Sequence, residues 1–201
     1  CFDLYTFFFF KYTGTHRDFT FSLHRALSIS IQQREEWMLR FLIVFWKIGS
    51  ALSILHQANH IFHRDLTPDN IFFINFWDRD AKESGWSPMI GDFGIAREAD
   101  HTRTQIIRGK EHYMPPDRKD HDGKCDTYAL GVIMDEVFGP NAPKGVRDIV
   151  DRAKSDTPTE WYFAHELMTD LGNEIKPRLL HWTMGLRSEE RRVGKECRSR
   201  W

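Results

Sequence analysis

A chain of 201 residues that is 41% hydrophobic and 28% charged has enough apolar mass for one domain with a buried core, which excludes a disordered polymer. A formal net charge of −1 supplies no global basic field of the kind that draws a protein to nucleic acid. The three cysteines, Cys1, Cys125 and Cys197, form no CxxC pair, so neither a zinc site nor a disulfide framework is indicated, and a reducing compartment, cytoplasm or nucleus, is the default.

In chain order, the sequence starts with Cys rather than Met, so a fragment of a longer protein is expected. The opening "CFDLYTFFFF" is apolar but has no basic region ahead of it and no small-residue cleavage site, which argues against a signal peptide. Residues 5–12, "YTFFFFKY", read as a buried strand, "TGTHRDFT" as a loop and "SLHRALSI" as a short helix. Residues 34–57, "REEWMLRFLIVFWKIGSALSILHQ", have the length and apolar density of a long buried helix. A membrane span is the rival reading of Trp37 to Leu55. Arg40 and Lys47 fall inside that window, each costing about 2.5–3.5 kcal/mol near a bilayer centre, and no membrane partner is expected. "NIFFIN" and "SPMIGDF" frame the polar insert "FWDRDAKESGW" and read as two short strands joined by a long hairpin loop. "DTYALGVIMDEVF" reads as a second buried helix broken by "GPNAPKG", and residues 146–186 as helical but weakly punctuated.

The last fifteen residues, "RSEERRVGKECRSRW", lack apolar periodicity and match the translation of a common sequencing-library adapter. Residues 187–201 are therefore expected to be a non-native tail and are set aside from fold reasoning. The tail is net basic, so its exclusion leaves the remainder more acidic and removes any case for a nucleic-acid-binding C-terminus.

Four polar signals follow one another. "HRDLTPDN" spans residues 63–70, "GDFG" 91–94, "YMPPD" 113–117 and "KCDTYALGV" 124–132. An earlier "HRD" at residues 16–18 is followed five residues later by Leu23, which cannot bind a metal, whereas Asp65 is followed five residues later by Asn70. The second stretch has the residue types that phosphoryl transfer needs. A positioned carboxylate takes a hydroxyl proton, worth about 10²–10⁴-fold in rate. Hard oxygen ligands suit magnesium, which neutralises the phosphates.

With these motifs in this order, residues 1 to about 186 resemble the eukaryotic-type protein kinase family, as the hinge strand plus most of the C-terminal lobe. The resemblance implies an α+β fold with a predominantly helical lobe, the N-terminal lobe lying upstream of residue 1. It implies ATP and Mg²⁺ as cofactors and a protein substrate. By position, Asp65 matches the catalytic-loop base, with His63 and Arg64 before it. Asn70 and Asp92 match the magnesium ligands. Phe93 and Gly94 match the hydrophobic switch and its flexible neighbour. Asp126 matches the buried Asp that holds the catalytic loop by its backbone amides. Lys11, Tyr12 and Thr13 fall at the hinge that meets the nucleotide. "LTP" after the Asp, "NIFF" and "GDFGIAR" are closer to Ser/Thr kinases than to tyrosine kinases. Small-molecule phosphotransferases are a rival class; they usually show "HGD" or "HxD" and lack an activation segment, and Arg64 and "YMPPD" argue for a protein substrate here.

Departures from the family pattern are informative. Thr67 replaces the Lys that reaches the transferred phosphate, and Lys110 replaces the Thr of "GTxxYMAPE". One reading is a swap in which Lys110 reaches back beside Thr67 and restores positive charge near Asp65. The other is decay to a pseudokinase acting as a scaffold or allosteric binding module. Asp117 shortens the carboxylate that, in the family, pairs with an Arg further on. Arg64 implies a regulatory phosphate on the activation segment, with Thr102 and Thr104 as candidates.

Overall fold

The structure is a computed structural model that describes residues 31–78, 83–94, 96–98, 109–118 and 122–198. The expected strand at 5–12, the short helix at 22–29, the hinge residues Lys11, Tyr12 and Thr13, and Thr102 and Thr104 lie outside the described residues.

Among the described residues four helices dominate: α1 Ile31–Ala58, α2 Lys124–Phe138, α3 Lys144–Ala153 and α4 Ala164–Arg198. Strand β1 Ile61–Phe62 pairs antiparallel with β4 Arg97–Glu98, and β2 Ile71–Asp78 with β3 Glu83–Ile90. Single 3₁₀ turns lie at Pro68–Asn70 and Glu111–Tyr113. The class is α+β, with helices providing most of the core.

The long apolar run of the sequence becomes α1 because Leu42, Phe45, Ile48 and Leu52 recur every three to four residues and share one buried face. That face meets Leu167 and Leu171 of α4, neither of which is exposed. By length and apolar composition α1 alone passes as a membrane span among the described residues, yet its apolar stripe is spent on the core. Arg40, on the outer side, pairs with Glu36 at 2.6 Å, a spacing of one helical turn.

Helix α2 is apolar on nearly every side and sits at the centre, with Leu130 and Met134 fully buried. Helix α3 shows its own stripe, Val146, Ile149, Val150 and Ala153, against α2. The two approach so closely at Gly131 that a Cβ there would lie 2.6 Å from that of Ala153. Glycine is required at this crossing. The α3–α4 connection is held from inside: the indole N–H of Trp161 donates to the Ser155 carbonyl at 2.6 Å, and the Thr127 hydroxyl donates to the Tyr162 carbonyl at 2.6 Å.

Three expectations change. The hairpin strands run eight residues each and extend into "FWDRDAKESGW", because a ladder whose register starts at Ile71↔Ile90 continues through residues of high strand propensity such as Phe76 and Trp77. Residues 146–186 divide into two helices around a break that contains Pro158. Helix α4 continues through residue 198 rather than ending before the tail. A run rich in Arg, Glu and Lys is a good helix former once an anchored helix precedes it, whatever the origin of the segment.

Candidate active site

The site is built around one buried carboxylate. Asp126, in the first turn of α2, is 1% exposed. Its Oδ2 accepts the backbone N–H of His63 at 2.8 Å, and its Oδ1 accepts that of Arg64 at 2.7 Å. His56 Nε2, from the last turn of α1, lies 2.9 Å from Oδ2. Burial pushes the Asp126 carboxyl up, but the hydrogen bond and charge of His56 and the two amides outweigh it and hold the group below the usual carboxylate range. Three elements, the end of α1, the loop at 63–64 and the start of α2, are thus fastened at one point.

The fastening matters because Arg64 has φ 66°, a left-handed conformation that costs a non-glycine residue about 1–2 kcal/mol. His63 is fully buried, and its Nε2 lies 2.9 Å from the Gly91 carbonyl oxygen. A carbonyl only accepts, so Nε2 carries the proton. Nδ1 then accepts the Asp65 N–H at 3.4 Å. The imidazole therefore joins the loop of Asp65 to the segment of Asp92, and its ring meets Phe93 edge-on at 4.9 Å.

Asn70 sits at the other end of the loop. Its side-chain amide donates to the Asp65 carbonyl at 2.8 Å, which commits Nδ2 and leaves Oδ1 as an oxygen donor. The hairpin register pairs Ile71 with Ile90, so Asn70 and Asp92 flank the same end of β2 and β3. A backbone bond from Gly91 N–H to the Asn70 carbonyl at 2.9 Å fixes that end. Asp92 is exposed at φ 58°, and its Oδ1 accepts the Gly94 N–H at 3.3 Å. Phe93 and Gly94 are exposed beside it.

Magnesium fits this donor set as a shared ligand, not a protein cage. Asn70 offers a carbonyl oxygen and exposed Asp92 a carboxylate, both hard. Among the described residues no cluster of three or more His, Cys, Asp or Glu side chains is arranged to hold a metal alone. Such a pair suits an ion that takes its remaining ligands from phosphates and water.

Asp65 Oδ1 and Thr67 Oγ1 are buried without a hydrogen-bond partner among the described residues. Thr67 is 1% exposed. Lys110 Nζ ion-pairs with Asp69, two residues beyond Thr67 on the same loop. The 3₁₀ turn at Glu111–Tyr113 starts directly after Lys110, and Asp69 is exposed on the loop. Further on, His112 Nε2 lies 2.8 Å from Glu136 Oε1, and the Tyr113 hydroxyl donates to the same carboxylate at 3.3 Å. Burial and then the charge of Glu136 push the Tyr113 phenol well above its ordinary value. Asp117 is exposed, one residue before Arg118, which pairs with Glu111.

The sequence reading missed His56, Glu136 and Gly109. His56 carried one signal, its place at the end of an apolar helix seven residues before His63. The other two become meaningful only once the segment at 109–113 is laid against the loop.

The buried Asp126 braces the loop that carries Asp65 and Asn70, an arrangement compatible with phosphoryl transfer. A comparison with protein families narrows this. The family model for the protein kinase domain matches residues 17–157, more than half of the chain. The chain belongs to the protein kinase family. It is 38% identical over 109 residues to the serine/threonine-protein kinase Pkn1 of Myxococcus xanthus, covering 50% of this chain and 15% of that protein. It is 30% identical over 123 residues to the human serine/threonine-protein kinase ULK1, covering 56% of this chain and 12% of that protein. It is 35% identical over 101 residues to the Arabidopsis thaliana serine/threonine-protein kinase AtPK1/AtPK6, covering 48% and 20%. The chain thus spans a fifth or less of these relatives' lengths.

Proposed function

We propose that this chain is the catalytic-loop part of a Ser/Thr protein kinase that moves the γ-phosphate of ATP to hydroxyls of protein substrates, acting with an upstream lobe. The observation that carries the reading is the bracing of the 63–70 loop by Asp126, which holds Asp65 and Asn70 in register with Asp92. Asp65 is the base that takes the substrate hydroxyl proton. Asn70 Oδ1 and the Asp92 carboxylate hold Mg²⁺, which neutralises phosphate charge when bound. His63 keeps the loops of Asp65 and Asp92 at a fixed separation through its two ring nitrogens. Lys11, Tyr12 and Thr13 contribute to the nucleotide site as hinge residues. Arg64 receives a phosphate placed on Thr102 or Thr104. The named Ser/Thr kinases among the relatives support the hydroxyl class.

The test is phosphoamino-acid analysis of substrate labelled by the full-length protein with ATP and magnesium. Label on Ser and Thr is expected, and label confined to Tyr or to a small molecule overturns the assignment. A second reading, a pseudokinase scaffold, is favoured by one observation: Thr67 occupies the position of a phosphate-reaching Lys, and the charge of Lys110 is paired with Asp69. Magnesium-dependent ATP binding without any transfer would select that reading. Alanine at both Thr102 and Thr104 with full activity would remove the regulatory role.

A further inference from the structure

The two unmatched atoms of the 63–70 loop, Asp65 Oδ1 and Thr67 Oγ1, are chemically complementary. A carboxylate oxygen only accepts, whereas a hydroxyl has a proton to give and rotates to suit its acceptor. Left apart, each is a polar group taken out of water without compensation. The loop also brings the two residues together. Asn70 ties down both: its Nδ2 donates to the Asp65 carbonyl at 2.8 Å and its backbone N–H to the Thr67 carbonyl at 3.0 Å. Two positions apart, their Cα atoms are separated by at most about 7 Å. Nearby groups are engaged elsewhere or have nothing to donate. Thr67 precedes the 3₁₀ turn at Pro68–Asn70, but its hydroxyl makes no cap to that turn. Lys110 pairs with Asp69. Gly109 closes over the carboxylate, since a Cβ there would lie 2.6 Å from Oδ1, and it brings no side-chain donor.

We propose that Thr67 is a positioning residue for the base: its hydroxyl donates to Asp65 Oδ1, across no more than one bridging water, and so turns the other carboxylate oxygen toward the substrate hydroxyl. The proposal rests on the kinase reading of Asp65. One oxygen is held and the other receives the substrate proton, so transfer does not wait on a side chain free to spin about its last bond. A donor to a carboxylate also favours its ionised form, the form that can accept a proton. No charge is needed at position 67 for this task, which separates it from that of a lysine reaching the phosphate. The scaffold reading, in which Thr67 marks lost function, assigns the hydroxyl no task.

The test uses the full-length protein, wild type with Thr67→Val, Thr67→Ala and Thr67→Ser. The readouts are kcat and the KM for ATP across pH, and the carboxyl carbon NMR signal of Asp65 in protein made with isotope-labelled aspartate, assigned by its loss in Asp65→Asn. Thr67→Val keeps the shape of the side chain and removes the hydroxyl. It should lower kcat by about two- to ten-fold, the worth of one hydrogen bond. The KM for ATP should stay unchanged, and the acid limb of the rate profile and the carboxyl titration should both move to higher pH. Thr67→Ala should act as Thr67→Val does, and Thr67→Ser should match wild type. Wild-type kcat with an unmoved carboxyl signal in Thr67→Val and Thr67→Ala overturns the proposal. A raised KM for ATP at unchanged kcat also overturns it, and assigns Thr67 to the nucleotide. So does a Thr67→Ser form that behaves as Thr67→Val. If the carboxyl signal responds but no form transfers phosphate, the Thr67 link stands and the kinase reading fails. If phosphate is transferred but the signal does not respond, the link fails and the kinase reading stands.

Discussion

Replacing Asp126 by Ala withdraws the acceptor from two buried backbone donors at once. Each N–H left unsatisfied costs about 1–3 kcal/mol, so the pair costs about 2–6 kcal/mol. That is a large share of the 5–15 kcal/mol that separates folded from unfolded states in a typical domain. Arg64, at φ 66°, also loses the bond that compensates its left-handed backbone. Asp126→Asn keeps one acceptor but turns an NH₂ toward the other donor, so it should lose about half as much. Urea unfolding followed by circular dichroism reads both variants. A loss under about 1 kcal/mol for Ala, or none for Asn, would refute the bracing argument. The pH dependence gives the same argument a sign. The folded carboxyl is held below its ordinary value, so its contribution is complete above that value, near pH 4. It is lost as the pH falls further, through the folded pKa. Asp126→Asn should flatten this acid limb, and an unchanged limb would place the acid sensitivity elsewhere.

Other expectations are simpler. Gly131→Ala forces α2 and α3 apart where a Cβ would stand 2.6 Å from that of Ala153, and should destabilise by about 1–3 kcal/mol in the same unfolding assay. Leu130→Ala opens a cavity at a position with no exposure and should cost about 2–5 kcal/mol. Asp92→Asn alters an exposed side chain and should move stability by less than about 0.5 kcal/mol, while weakening magnesium-dependent ATP binding measured by calorimetry in the full-length protein.

Helices α1 and α2 were legible in the sequence because burial imposes a spacing on apolar residues. Leu42, Phe45, Ile48 and Leu52 show it in α1, and the nearly all-apolar stretch around Leu130 shows it in α2. The hairpin was legible as a pair of strands but not in its length, since the ladder beyond Ile74 is carried by backbone pairing that side-chain polarity does not report. The tail was set aside from fold reasoning for its match to an adapter translation, and its Arg and Glu content favours a helix. At the site, the order of motifs singled out Asp65, Asn70, Asp92 and Asp126 as candidates, and Asp126 accepts the two loop amides. What it could not supply was the partner of Lys110. That depends on where a turn beginning eighteen residues beyond Phe93 sets the backbone, which the order of motifs does not encode. His56 was invisible for a related reason, because its contact with Asp126 spans 70 positions.

The most direct measurement of the central claim is transfer of radiolabelled γ-phosphate from ATP to a protein substrate by the full-length protein, wild type against Asp65→Asn, with magnesium-dependent ATP binding followed in parallel. The account predicts unchanged binding and a transfer rate reduced by about 10²-fold or more in the variant. Equal rates in the two forms, or no transfer by wild type that binds ATP with magnesium, would contradict it.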